Sequence, residues 1–122
     1  MDNNLMPTGQ SIVQTNKTVG QTYNMKSETM CEYLKNHIVE ELEGAKDYMT
    51  KAIELKEKYP AWSKKFYQMS EMEIEHANCM NKIFAGISES DEPCHDSLYR
   101  EVLEAYTKYM TEVSSLKKIY YS

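Results

Sequence analysis

The chain has 122 residues, one small domain by the usual length scale, and a formal net charge of −5 with lysines scattered among the acids. That balance excludes a nucleic-acid footprint, and no apolar run nears the roughly 18 residues that a membrane-spanning helix needs. With only 4 Gly and 3 Pro among many Glu, Lys, Met and Leu, the expected state is helix throughout. The start, MDNNLMPTGQ, lacks the basic and apolar stretches of a secretory signal. The expected location is therefore the cytoplasm, or an interior compartment open to it.

Residues 1–26 are rich in Asn, Gln, Thr, Ser and Gly without apolar period, and predict a polar flexible arm. Residues 27–122 predict a helical domain. Ser27 can cap the first helix, with Glu28 in its first turn. Leu34, Ile38, Leu42, Ala45, Met49 and Ala52 then recur at steps of three and four, with Ile53 beside the last, one helix face. The run is expected to end at Lys58-Tyr59-Pro60, because the residue before proline is biased away from helix.

A second helix starts at about Ala61. Trp62, Phe66, Met69, Glu73, His76, Met80 and Ile83 step alternately by four and three, a heptad seam. Gly86 supplies a stop, and residues 87–96 form a polar connection. Asp96 or Ser97 can cap a third helix reaching about Tyr120, with Leu98, Val102, Ala105, Tyr109, Glu112, Leu116 and Ile119 on its seam. The fold class is all-α, with a short connection that makes the first two helices an antiparallel hairpin.

The cysteines, Cys31, Cys79 and Cys94, are odd in number and without CxxC spacing. They predict free, reduced thiols rather than a disulfide framework or a zinc site. Most of the ten tyrosines and nine methionines are expected in packing.

Two seam positions of the second helix are polar, Glu73 and His76, in an E-x-x-H pattern. The pattern alone is cheap, and it recurs at Glu92/His95, where Pro93 prevents one helical face from presenting both side chains. The first match gains meaning from its place. A buried carboxylate costs several kcal/mol unless it is paired, hydrogen-bonded or metal-bound. Glu41, beside the apolar stripe of the first helix, lies ~25 Å from the turn, against ~18 and ~22 Å for Glu73 and His76. Three polar groups nearly level on facing seams form the half-site of a helical-bundle di-iron centre. The third helix offers no second E-x-x-H, and its seam residue Glu112 adjoins Val113, which can take the buried place. A second chain is the economical source of the missing ligands, giving a homodimer or higher even oligomer.

The segment Glu40-Glu41-Leu42-Glu43-Gly44-Ala45-Lys46-Asp47-Tyr48, followed by Glu73-Ile74-Glu75-His76-Ala77, resembles the ferritin-like superfamily, most closely the encapsulated ferritins. The likeness spans roughly residues 30–85. It implies a four-helix bundle completed by dimerisation, iron at a di-iron centre, and ferroxidase activity on Fe(II) with dioxygen. Glu41 and His76 would be terminal ligands and Glu73 a bridging one. Tyr48 would hydrogen-bond behind them, and Glu40 and Glu43 would gather iron at the mouth. A protein shell is the partner that the resemblance suggests. The third helix is longer than in that family, and Asp47 stands where an aromatic residue is usual.

A peroxidase of the rubrerythrin type is a variant on the same fold, disfavoured by the lack of CxxC and of further bundle carboxylates. The competing reading is a structural or interaction protein, such as a coat, shell or virion-associated component. In it Glu41, Glu73 and His76 form a buried hydrogen-bond network that fixes dimer register.

Overall fold

A computed structural model describes residues 26–122, with side chains from residue 30 onward. The expected arm over residues 1–26 falls outside them except for Lys26. Helix α1 (Lys26–Leu55), α2 (Pro60–Ser88) and α3 (Asp96–Tyr121) follow one another, with no strand among the described residues. The all-α reading holds.

The helix ends show where sequence signals act. Helix α1 stops three residues short of the expected point: the Lys56 amide donates to the Ile53 carbonyl and the Tyr59 amide to the Leu55 carbonyl, closing the turn. Pro60 opens α2, in the first turn where its missing N–H costs nothing. Gly86 does not end α2. The helix continues through it to Ser88, because glycine only lowers helix propensity by about 1 kcal/mol and acts as a stop only where it adopts the left-handed conformation itself, which Gly86 does not. The Glu89 amide instead donates to the Gly86 carbonyl and the Ser90 amide to that of Ile87. Asp96 is the first residue of α3 rather than its cap, and its charge suits the helix dipole there.

Helix α1 meets α2 through small residues. Buried Ser70 donates its hydroxyl to the Ala45 carbonyl at 2.6 Å, and buried Ser63 donates to the Ala52 carbonyl. The paired numbers fall on one strand of chain as they rise on the other, so the helices are antiparallel and in close contact. Ion pairs Lys35–Glu101 at 3.0 Å and Lys46–Glu112 at 3.9 Å keep a constant offset, so α3 runs parallel to α1. The Tyr106 hydroxyl donates to Asn78 at 2.9 Å and the Tyr121 hydroxyl to Tyr67 at 2.8 Å, which lays α3 antiparallel along α2. Helix three thus packs on the hairpin of its own chain. Leu34, Ile38, Leu42, Ala77, Phe84, Leu98, Val102 and Ala105 make the core of a compact unit, Cys31–Ser122. Val113 takes the buried place beside Glu112, as its position predicts.

The cysteine expectation is overturned. Cys31 and Cys94, both buried, form a disulfide with Cα atoms 5.8 Å apart, while Cys79 is free and exposed. Spacing along the chain says nothing about this pair. The parallel course of α1 and α3 sets the start of α1 against the residue that leads into α3.

Candidate metal centre

The face of α2 that its own chain buries is Ser63, Ser70, Ala77 and Phe84, one residue along from the predicted seam. The predicted seam itself is largely uncovered: Trp62 is 59% exposed and Ile83 56%, with Phe66, Met69, Glu73 and Met80 half-buried between them. A helix turns ~100° per residue, so adjacent heptad stripes lie side by side. One stripe packs on α1 and α3. The other borders the open side of the hairpin.

Glu41, Glu73 and His76 come together on that open side. Each offers a ligand atom, and these atoms lie within 4.8 Å of one another. His76 Nδ1 is 3.5 Å from Glu41 Oε1, too long for a strong hydrogen bond. Among the described residues, Glu41 Oε1 is buried and has no hydrogen-bond partner. The His76 side chain is 57% exposed, whereas that of Glu41 is 23% exposed. The site is therefore floored by α1 and open above His76.

Burial pushes the Glu73 carboxyl up to about 7 from its usual 4.5. Hydrogen bonding with the Glu41 side chain and repulsion from its charge push the same way, and His76 opposes them. Two carboxylates that cannot both be comfortable as anions need a proton or a cation between them. Gly44 contributes room: a Cβ there would touch Glu73 Oε1 at 3.4 Å, so the Glu73 carboxylate leans directly on the α1 backbone.

Helix α3 takes no part. Its ion pairs and hydrogen bonds with α1 are at Lys35 and Lys46 and those with α2 at Tyr67, Glu71 and Asn78. These directions lie more than ~100° around each helix from Glu41, Glu73 and His76. Glu112 is half-buried and faces Lys46 instead.

The other sequence-chosen residues stay at the margin. The ring of half-buried Tyr48 lies 5.9 Å from that of Phe66, and Tyr48 makes no hydrogen bond to the three site residues among those described. Glu40 is exposed, 3.9 Å from His37, and Glu43 is exposed. Sequence reasoning missed the serines that let α2 approach α1. Their signal was present: small residues seven apart, at 63, 70 and 77, opposite Ala45 and Ala52.

The Rubrerythrin family model matches residues 32–121. The chain belongs to the rubrerythrin family. That places it in the ferritin-like superfamily, and the match covers the hairpin, the connection and α3 alike. No curated protein and no solved structure matches the chain. No helix among the described residues is long and apolar enough to cross a membrane.

The donor set suits a transition metal: two carboxylate arms and one imidazole favour iron, manganese or zinc over soft Cu(I). The orphaned Glu41 oxygen fits a bound cation better than a finished hydrogen-bond network.

Proposed function

We propose that this rubrerythrin-family chain is an iron-handling ferroxidase, with Glu41, Glu73 and His76 as half of a di-iron centre and a second copy supplying the other half. The observation that carries the reading is the convergence of three ligand atoms on a side of the hairpin that α3 leaves open. One half-site has too few donors for two irons, and α3 supplies none. The flank of exposed Trp62 and Ile83, with half-buried Phe66 and Met69 between them, suits a homodimer that closes over the site.

Fe(II) is the substrate. Two Fe(II) give up one electron each, and dioxygen takes both with two protons to leave as hydrogen peroxide. Glu73, in contact with Gly44 and beside Glu41, would be the ligand common to both irons. Glu41 and His76 would hold the irons from either side, and loss of the Glu73 proton on loading would offset part of the incoming charge. Exposed Glu40 and Glu43 stand one and two residues from Glu41 as first landing points for Fe(II). The resemblance of the segments at Glu40–Tyr48 and Glu73–Ala77 to encapsulated ferritins is the ground for proposing a protein shell, a nanocompartment, as destination for the ferric product.

The test is anaerobic Fe(II) titration followed by admission of oxygen. Wild type should saturate near one iron per chain and consume oxygen. His76→Ala should lose at least ~100-fold in iron affinity, the upper range even for outer-shell losses, with helicity unchanged. Equal iron stoichiometry in both proteins would remove the site.

A further inference from the structure

Helix α2 carries four sulfur side chains between residues 69 and 80: Met69, Met72, Cys79 and Met80. They fall into two pairs. Met69 stands one turn before Glu73 and Met80 one turn after His76, so that 69, 73, 76 and 80 step by four, three and four along one stripe. Side chains four apart on a helix are neighbours, with Cβ atoms about 5–6 Å apart. The two thioethers therefore bracket the candidate site, Met69 toward the turn at residues 56–59 and Met80 toward the open end of the hairpin. Met72 and Cys79 each precede a stripe residue by one position, which turns them ~100° away from it.

Burial divides the same pairs. Met69 and Met80 are half-buried, and Met80 packs partly against the core. Met72 is 52% exposed, Cys79 is exposed, and on α1 Met30 is 43% exposed. Oxidant arriving from solvent would thus meet Met30 and Met72 first, whereas oxidant made at the site would meet Met69 and Met80 first. Both of the latter lie on the flank between Trp62 and Ile83 that the proposed second copy would cover, screened from solvent yet beside Glu73 and His76. Packing alone does not call for methionine at these two positions, since leucine fills a similar volume with a better-defined rotamer and no oxidisable atom.

The proposed reaction makes hydrogen peroxide between these two thioethers. We infer that Met69 and Met80 are oxidation sites that consume part of that peroxide before it leaves. A sulfur lone pair attacks one peroxide oxygen, so an S–O bond forms and the O–O bond breaks. The departing hydroxide takes the proton left on the transferred oxygen, and water is the second product. Sulfur loses two electrons and peroxide gains two, with no further reductant required. Each sulfoxide is spent until an enzymatic sulfoxide reductase restores it, so oxygen accumulates on the two residues over successive turnovers. The inference rests on the ferroxidase reading and adds an acceptor for its product.

Mass spectrometry of the peptides tests it. Wild-type protein receives repeated small additions of Fe(II) in air, with catalase present to destroy escaped peroxide, and sulfoxide is measured at each methionine. Met69 and Met80 should be oxidised at least ~10-fold more than Met30 and Met72, because peroxide released at the site has a high effective concentration beside them. Metal-free protein treated with dilute hydrogen peroxide should show the opposite order. In His76→Ala the excess at Met69 and Met80 should vanish. A metal-free order that already favours these two residues, or an excess that survives His76→Ala, overturns the inference. Oxygen uptake is recorded in the same samples. Uptake with Met69 and Met80 oxidised no more than Met30 and Met72 overturns the inference alone, and absence of uptake removes the ferroxidase together with it.

Discussion

Glu73 is the residue through which the candidate site affects the stability of the chain. Its folded value of about 7 stands above the usual 4.5, so between those pH values the folded chain holds a proton that the unfolded chain has lost. The resulting stabilisation is complete below the lower value and is lost as pH rises through the upper one. Metal-free protein should therefore melt at a lower temperature at about pH 8 than at about pH 6, and Glu73→Gln should flatten that slope. Calorimetry over this range checks it, and a slope unchanged in the variant would show that another group is responsible. Iron binding should run the other way, tightening as pH rises, because a ligating carboxylate must be free of its proton.

The three site residues were legible in the sequence for a physical reason. Glu73 and His76 stood where a heptad demanded apolar groups, and helix rise put Glu41, beside the stripe of α1, level with them across a short turn. The Cys31–Cys94 bond was not legible. Its partners are brought together by the parallel offset of α1 and α3, which depends on packing and leaves no mark in cysteine spacing.

At the scale of the helices, lengths and order follow from periodicity and from Pro60, while two details do not. The seam of α2 was read as one stripe, yet the helix carries two, Trp62–Phe66–Met69–Met80–Ile83 and Ser63–Ser70–Ala77–Phe84. Hydrophobicity favours the first, but the small second stripe is what lets α2 sit close to α1. A pattern can show that a helix has neighbours on two sides. It cannot say which neighbour belongs to the same chain. Gly86 is the other detail. It lies inside α2, and a Cβ there would meet nothing within 4 Å. Gly86→Ala should stabilise the chain by about 0.5–1 kcal/mol, since it only removes conformational freedom from the unfolded state. A denaturant midpoint unchanged or lowered would mean that the last turn of α2 is already frayed.

For the unit as a whole, the hairpin and α3 are joined by a core whose residues come from all three helices, and by one covalent bond at the open end. Cys31 and Cys94 are 63 residues apart in sequence. Closing a loop of that size restricts the unfolded chain by about 4 kcal/mol on the chain-entropy scale. Cys31→Ser with Cys94→Ser should lower unfolding free energy by that order, measured by urea titration, and wild type in excess dithiothreitol should behave alike. Loss of stability without loss of iron stoichiometry is the expected combination, since α3 and the disulfide stand apart from Glu41, Glu73 and His76.

The same bond changes the topology of the chain. From Cys31 to Cys94 the backbone is a closed ring, and Glu41, Glu73 and His76 all lie on it. A protease that cut the exposed turn at residues 56–59 would release no fragment, because the two arms of the hairpin stay tied through the opposite end. Tension applied at residues 30 and 122 would likewise pass across the sulfur bridge and bypass the ring. About 200 Å of contour, at ~3.3 Å per residue, would stay hidden from the pull until the bridge was reduced.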